Sequence, residues 1–142
     1  MSLDQETREN TILYRVEKAL RTWDDVSFAV ENKRWNYAAN RMYYAVFHAA
    51  SALLIANSVI ANTHRGFLTQ VSYHFVKPGL ITKEEGRLIR HLFDLRNEDD
   101  YENFADAEED EILDLFPKAQ QLLNKLIKLN KLYQPPKENP EQ

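Results

Sequence analysis

The feature of this sequence that most constrains its fold is the stretch from Trp35 to Ala56, which contains no glycine, no proline and no acidic residue. Read at helical spacing, apolar side chains fall on almost every side of it. A helix on a protein surface has one apolar stripe, whereas a helix that is apolar nearly all round is buried among neighbours. At about 1.5 Å per residue, the stretch would be roughly 33 Å long. The sequence therefore predicts one long central helix with other helices packed on several sides of it.

Two helices are predicted next to this stretch along the chain. Apolar residues at alternating steps of four and three predict a helix over residues 4–31, and Asn32 can take the left-handed position at its C-terminal end. The short connection 32–34 predicts that this helix and the central one are antiparallel. Beyond the central helix, Thr63 is predicted to cap a shorter helix over residues 64–76.

The second half of the chain predicts two more helices. Thr82 and Glu85 have the spacing of a capping box, which begins a helix reaching about residue 97. A last helix is expected over residues 108–132, in which Pro117 either produces a kink or marks the first turn.

The predicted fold class is therefore all-α, as an antiparallel up-and-down bundle of four long helices plus one short inserted helix. Residues 1–133 are expected to form a single domain, because 142 residues suffice for one core. The tail 134–142, which is rich in proline and polar residues, is predicted to be disordered.

Composition excludes several classes of function. The chain has no cysteine, which excludes disulfides and thiolate metal sites. No run reaches the roughly 18 apolar residues that a membrane span needs, and the polar N-terminus predicts no secretory signal, so we expect a cytoplasmic protein. Phosphate-binding glycine loops and the motifs GxSxG and HExxH do not occur. We expect no cofactor and no metal.

Charge is unevenly distributed along the sequence. Residues 97–114 contain ten acidic side chains and no Lys or Arg, whereas the rest of the chain carries 18 basic and 12 acidic residues. The total charge of −4 does not indicate a dedicated nucleic-acid binder. A molecule polarised in this way can still present a basic face.

Polar side chains occupy one face of the predicted central helix. Arg41, Tyr44 and His48 follow helical spacing there, and they combine a permanent cation with a group that titrates near neutrality. Two interpretations stay open. The three residues line a binding cleft, or they form hydrogen bonds within the core or at a dimer face.

Two further candidates lie near predicted helix ends. Arg96 continues the apolar spacing of Ile89 and Phe93, so its guanidinium faces inward and needs an anion or several acceptors. Tyr101 follows closely enough to fold back towards it. His64 succeeds the predicted cap of the third helix, where free backbone amides favour an anion. The alternatives are an arginine bonded to neighbouring carboxylates and helix-end carbonyls, and a merely exposed histidine.

Several segments, taken in order, resemble the HEPN superfamily, and in particular its small stand-alone prokaryotic members. The resemblance covers roughly residues 8–130. The segments that carry it are Asn40-Arg41-Met42-Tyr43-Tyr44-Ala45-Val46-Phe47-His48-Ala49-Ala50, Thr63-His64, His74-Phe75-Val76-Lys77-Pro78-Gly79-Leu80, and Leu92-Phe93-Asp94-Leu95-Arg96-Asn97-Glu98-Asp99-Asp100-Tyr101.

The resemblance implies an all-α bundle that dimerises. In many HEPN proteins an Arg, a polar residue and a later His end a late helix, and two copies form a metal-independent ribonuclease site. Arg96 and Asn97 match the start of that motif, but Tyr101 stands where the His is expected. Related stand-alone proteins are often encoded beside a minimal nucleotidyltransferase as toxin–antitoxin pairs, and in some of them a tyrosine near the Arg accepts AMP from the partner.

The leading hypothesis is a dimeric HEPN component partnered by a nucleotidyltransferase, which binds RNA or nucleotide in a cleft. One alternative is a metal-independent endoribonuclease, and another is a non-catalytic helical interaction module. The candidate catalytic residues are Arg96, Asn97 and Tyr101, with Tyr101 also the candidate modification acceptor. The weaker binding candidates are His64, Arg41, Tyr44 and His48.

Overall fold

The structure is a computed structural model that describes residues 4–96 and 107–131. Within these ranges all regular secondary structure is helical, which confirms the predicted all-α class. Asn97 and Tyr101, two of the candidate site residues, lie outside the described residues, as does the tail 134–142. The helices are α1 (Gln5–Glu31), α2 (Trp35–Ala56), α3 (His64–Val71), α4 (Lys83–Leu95) and α5 (Glu109–Leu129).

The predicted caps at the starts of α3 and α4 are confirmed. The side chain of Thr63 accepts a hydrogen bond from the backbone N–H of Gly66 at 2.9 Å. Thr82 and Glu85 form the full capping box, with bonds of 3.0 Å and 2.8 Å between each side chain and the other residue's backbone N–H. These bonds satisfy amides that a helix start would otherwise leave unpaired.

The third predicted helix differs from expectation in its second half. Residues 64–76 are helical throughout, but α3 ends at Val71 and continues as one π-helical turn, Ser72–Val76. The backbone N–H of Lys77 accordingly donates to the carbonyl of Ser72, five residues earlier. Such turns place one extra residue in the helix and occur frequently at functional sites.

The connection between α1 and α2 reverses the chain as predicted, with one correction. The left-handed residue is Lys33, with φ of 57°, and not Asn32, whose φ is −98°. Two contacts show that the helices are antiparallel, because Arg8 near the start of α1 bonds to Ser58 while Arg15 bonds to His48.

The central position of α2 is confirmed. Thirteen of its residues are buried, and it contacts α1, α3, α4 and α5. Six of the thirteen are alanines, and small side chains of this kind let neighbouring helices approach closely. The predicted apolar stripes of the other helices face this core, with Ile12 and Val16 on α1, Ile89 on α4, and Ile112 and Leu123 on α5 all essentially inaccessible to solvent.

Helix α5 runs antiparallel to α4. Lys125 bonds to Glu85 at 2.7 Å, and Glu111 lies 3.7 Å from His91. Pro117 lies inside α5, so the alternative that it marks the first turn is wrong. None of the helices within residues 4–96 and 107–131 combines the length and the apolar character that a membrane crossing requires.

Candidate functional site

Arg96 ends α4, and its guanidinium lies against aromatic rings. Its backbone N–H donates to the carbonyl of Leu92 at 3.1 Å. The guanidinium carbon is 4.6 Å from the ring centroid of Phe93, 5.3 Å from that of Tyr43 and 5.9 Å from that of Tyr44. A cation over aromatic faces is attracted by their negative electrostatic potential. The four side chains therefore form one unit in which α2 and the end of α4 hold the cation.

The Nε atom of Arg96 is buried and has no hydrogen-bond partner among the described residues. A buried N–H without a partner costs free energy, more so when it belongs to a charged group. In the part of the chain that the structure describes, the ion pairs are His91–Glu111, Lys118–Asp114 and Lys125–Glu85, none of which includes an arginine. The described part of the site thus supplies rings to Arg96, but no carboxylate.

Tyr43 connects α2 to the start of α3. Its hydroxyl is 2.8 Å from Nδ1 of His64, and its ring is fully buried. Burial raises the pKa of Tyr43 above its ordinary value of 10.0, although the positive charge of Arg96 opposes this effect. Tyr43 is therefore a neutral phenol at physiological pH.

His64 is held at the first position of α3 by the Thr63 cap. Burial and, after it, the charge of Arg96 lower the pKa of His64 below 6.5, so its imidazole is mostly neutral at pH 7. The hydroxyl of Tyr43 engages Nδ1, which leaves Nε2 for another partner. Depending on the tautomer, Nε2 donates a hydrogen bond or accepts a proton.

Arg41 joins the site through Tyr44. Its guanidinium carbon is 5.2 Å from the centroid of Tyr44 and 5.9 Å from that of Tyr37, and its Nε donates to the side-chain oxygen of Asn40 at 2.8 Å. The ring of Tyr44 is therefore in contact with two guanidinium groups, those of Arg41 and Arg96. We call Arg96, Tyr43, Tyr44, His64 and Arg41 the Arg96 cluster.

An aromatic wall supports this cluster. Phe47 lies with its centroid 4.7 Å from that of Phe67 and 5.0 Å from that of His64. Tyr43 contacts Phe47 and Phe93 at 5.8 Å and 5.6 Å. These spacings are those of favourable stacked and edge-on ring pairs. The wall fixes the rings on which the cations lie.

His48, a predicted binding candidate, is buried and points towards α1. Nη1 of Arg15 donates to its Nδ1 at 3.1 Å, so the other ring nitrogen carries the proton when the imidazole is neutral. Burial is the largest cause that lowers the pKa of His48, to about 4. The positive charges of Arg15, Lys18 and Arg41 act in the same direction. Its role is to join α1 to the wall, since its ring centroid is 5.5 Å from that of Phe47.

The structure thus brings together Arg96, Arg41, Tyr44 and His64 from the sequence-based candidates. Two contributors were missed, namely Tyr43 and Arg15. Tyr43 carries a hydroxyl on a face of α2 that was predicted to be buried, and a buried hydroxyl requires a partner, which was a usable signal. Nothing in the α1 pattern singled out Arg15. No group of three or more possible metal ligands occurs within residues 4–96 and 107–131.

The site therefore lies in an all-α bundle in which α4 ends in an arginine held over aromatic rings. The chain matches the HEPN domain over residues 12–132 and belongs to this family, which confirms the resemblance. A UPF0332 protein of Thermotoga maritima is 34% identical over 122 residues, covering 86% of this chain and 92% of that protein. A protein of Methanocaldococcus jannaschii named "Putative toxin" is 32% identical over 108 residues, covering 76% of this chain and 80% of its own length.

Proposed function

We propose that this HEPN-domain chain is the toxin-like component of a two-component module and that it binds RNA or nucleotide at the Arg96 cluster. The observation that carries the proposal is the Arg96 guanidinium, which rests on three aromatic rings and has a buried Nε without a partner among the described residues. The toxin-like role is supported by the relative in M. jannaschii that bears that name.

The chemistry of the cluster suits a phosphate ester. A guanidinium offers a planar fork of donors that matches the geometry of phosphate oxygens. The second guanidinium, that of Arg41, lies on the same Tyr44 ring and adds a further positive charge. Nε2 of His64 can complete the set with a hydrogen bond. A ligand with adjacent phosphates, as in RNA or a nucleoside triphosphate, would use all three groups.

Replacing Arg96 with alanine is expected to weaken binding of single-stranded RNA or ATP by about 10- to 150-fold. This range corresponds to the loss of hydrogen bonds to a charged group, about 1.5–3 kcal/mol. Fluorescence anisotropy with labelled RNA and calorimetry with ATP would measure it. Arg96→Lys should give an intermediate affinity, because it keeps the charge and loses the planar fork.

The matched control for that experiment is Arg21→Ala, which removes an exposed arginine from α1. It should leave both affinities unchanged. Circular dichroism and the urea midpoint establish that each variant is folded. If Arg96→Ala and Arg21→Ala bind RNA and ATP equally well while both are folded, the cluster is not the binding site and the proposal fails.

A second candidate, a metal-independent endoribonuclease, is favoured by the position of His64. RNA cleavage needs a group that accepts the proton of the 2′-hydroxyl and a cation that stabilises the charged phosphorane. The neutral imidazole of His64 and the guanidinium of Arg96, whose charge contributes to the lowered pKa of His64, supply such a pair within one chain. Assaying the same Arg96 variants and His64→Ala for cleavage in EDTA distinguishes it, because cleavage that survives both changes belongs to a contaminant.

We also propose that two copies of this chain pair and that a nucleotidyltransferase is the partner of the pair. Co-expression with a nucleotidyltransferase from a neighbouring gene should then give a stable complex, or a mass increase of one AMP on Tyr101. In the second case the phenol oxygen attacks the α-phosphorus of ATP, its proton passes to water and pyrophosphate leaves. Native and peptide mass spectrometry would measure both, with Tyr101→Phe as the control, and finding neither contradicts the partnership.

A further inference from the structure

A groove on the described part of the molecule lies beside the Arg96 cluster. It has a volume of about 870 Å³ and separates α3 with its π-helical turn from α4. Residues of α3 and the π turn that face it follow helical spacing, from Arg65 through Thr69 to Tyr73. The opposite wall is formed by Arg90, Phe93 and Asp94. The groove is therefore bounded by one face of each helix.

The charged groups of this groove are mostly positive. Arg65, Lys77 and Arg90 line it, against the single carboxylate of Asp94. All four residues are exposed, and no ion pair joins them to one another or to any other described residue. Cations that have no carboxylate partner within the described part of the chain suit an anionic ligand.

Tyr73 adds an aromatic surface to these charges. Its side chain is 60% exposed on the π turn, so it contributes little to the core. The ammonium of Lys77 lies 5.2 Å from its ring centroid. An exposed ring beside cations is the arrangement on which unpaired bases stack while the cations contact the backbone phosphates.

The groove adjoins the Arg96 cluster at Phe93. Phe93 lines the groove and also carries the Arg96 guanidinium at 4.6 Å. His64 of the cluster and Arg65 of the groove are consecutive residues. Near the start of α4 the walls are held together, because a Cβ on Gly86 would come within 2.8 Å of Cγ2 of Val76. This close approach makes the groove a preformed feature of the fold.

We propose that this groove is the path of single-stranded RNA, with a base stacked on Tyr73, phosphates at Arg65, Arg90 and Lys77, and the strand continuing to the Arg96 cluster. The part of this inference that extends the strand to the Arg96 cluster rests on the proposed function. A single strand is favoured over a duplex, since only an unpaired base can stack on the exposed ring of Tyr73. A mononucleotide would occupy the cluster without reaching the groove.

The test measures how the affinity for RNA depends on salt. A labelled mixed-sequence RNA of about 12 nucleotides, within the site sizes known for single-strand binders, is titrated into the full chain over a series of salt concentrations. Arg65→Ala and Arg90→Ala should each reduce the slope of log K against log salt by about 0.7, the amount expected for one phosphate contact on a single strand. Asp94→Asn should raise the affinity, and Arg21→Ala should change neither quantity.

Stacking is tested at Tyr73. Tyr73→Ala should weaken RNA binding by about 5- to 150-fold, the range for loss of one stacked base. Tyr73→Phe keeps the ring and should bind as the unchanged protein does. ATP affinity should be the same in all groove variants, because ATP is expected only at the cluster.

The outcomes separate this inference from the proposed function. If Arg96→Ala weakens RNA binding while the groove variants leave affinity and slope unchanged, the groove inference is overturned and the proposed function stands. If the groove variants weaken RNA binding but Arg96→Ala does not, the groove is supported and the proposed function fails. Binding of ATP without RNA, or equally tight binding of duplex RNA, also overturns the inference.

Discussion

Replacing Tyr43 with alanine is expected to destabilise the fold by about 3–5 kcal/mol, the range for removing a large aromatic side chain from a core. Tyr43 is among the largest fully buried side chains, and its ring contacts those of Phe47, Phe67 and Phe93. Its removal leaves a cavity that rigid neighbouring rings cannot fill. Urea unfolding followed by circular dichroism measures the change in the free energy of unfolding.

Tyr43→Phe is the matched control for that prediction. It keeps the ring and removes only the hydroxyl that bonds to His64, so the expected cost is about 0.5–1.5 kcal/mol. A cost for Tyr43→Phe close to that of Tyr43→Ala would show that the hydroxyl, and not the packing of the ring, dominates the role of this residue.

Lowering the pH from about 6.5 to about 4 is expected to reduce the free energy of unfolding by about 3 kcal/mol through His48 alone. The pKa of His48 is about 4 in the fold and 6.5 in the unfolded chain, and each unit is about 1.4 kcal/mol. Between these values the unfolded chain binds more protons than the folded one, so stability rises with pH. The contribution is complete above pH 6.5 and is lost as the pH falls towards 4.

The largest cause is the burial of His48, which disfavours its charged form, and the next is the positive charge of Arg15. Nδ1 of His48 can accept from Arg15 only while it is unprotonated. Protonation breaks this bond and places a second positive charge beside Arg15 in a buried site. Urea unfolding at a series of pH values measures the effect, with His48→Gln as the variant that cannot titrate there. The difference in stability between the two proteins should shrink or reverse as the pH falls, and a constant difference would contradict the assignment.

The bundle itself could be predicted because its signals are local. Helix α2 was predicted over its full length, since 22 residues without glycine, proline or acidic side chains have few alternatives. The Thr82–Glu85 capping box likewise depends on residues three apart. The π turn after α3 was not predicted, because the sequence pattern over residues 64–76 is that of one continuous helix. The left-handed position moved from Asn32 to Lys33, as the exact residue at a helix end depends on tertiary packing.

The candidate site could be predicted only in part. Arg96 and Arg41 were found because a cation at an apolar position in a helix is conspicuous. Their contact through the shared Tyr44 ring depends on how α2 and α4 cross, which spacing along one helix does not reveal. The pairs Tyr43–His64 and Arg15–His48 join residues 21 and 33 positions apart. Asn97 and Tyr101 stay predictions, since they lie outside the described residues.

The central position of α2 has a consequence for the entropy of binding. Tyr43, Tyr44 and Arg41 all belong to this helix, which contacts α1, α3, α4 and α5 at once. Their backbone is therefore ordered before any ligand arrives, and the Tyr43 ring is held by its aromatic neighbours. Association normally loses affinity because side chains and loops must be immobilised. At this site most of that ordering takes place during folding, so less conformational entropy is lost on binding. A larger fraction of the contact energy with a ligand would therefore contribute to the binding free energy.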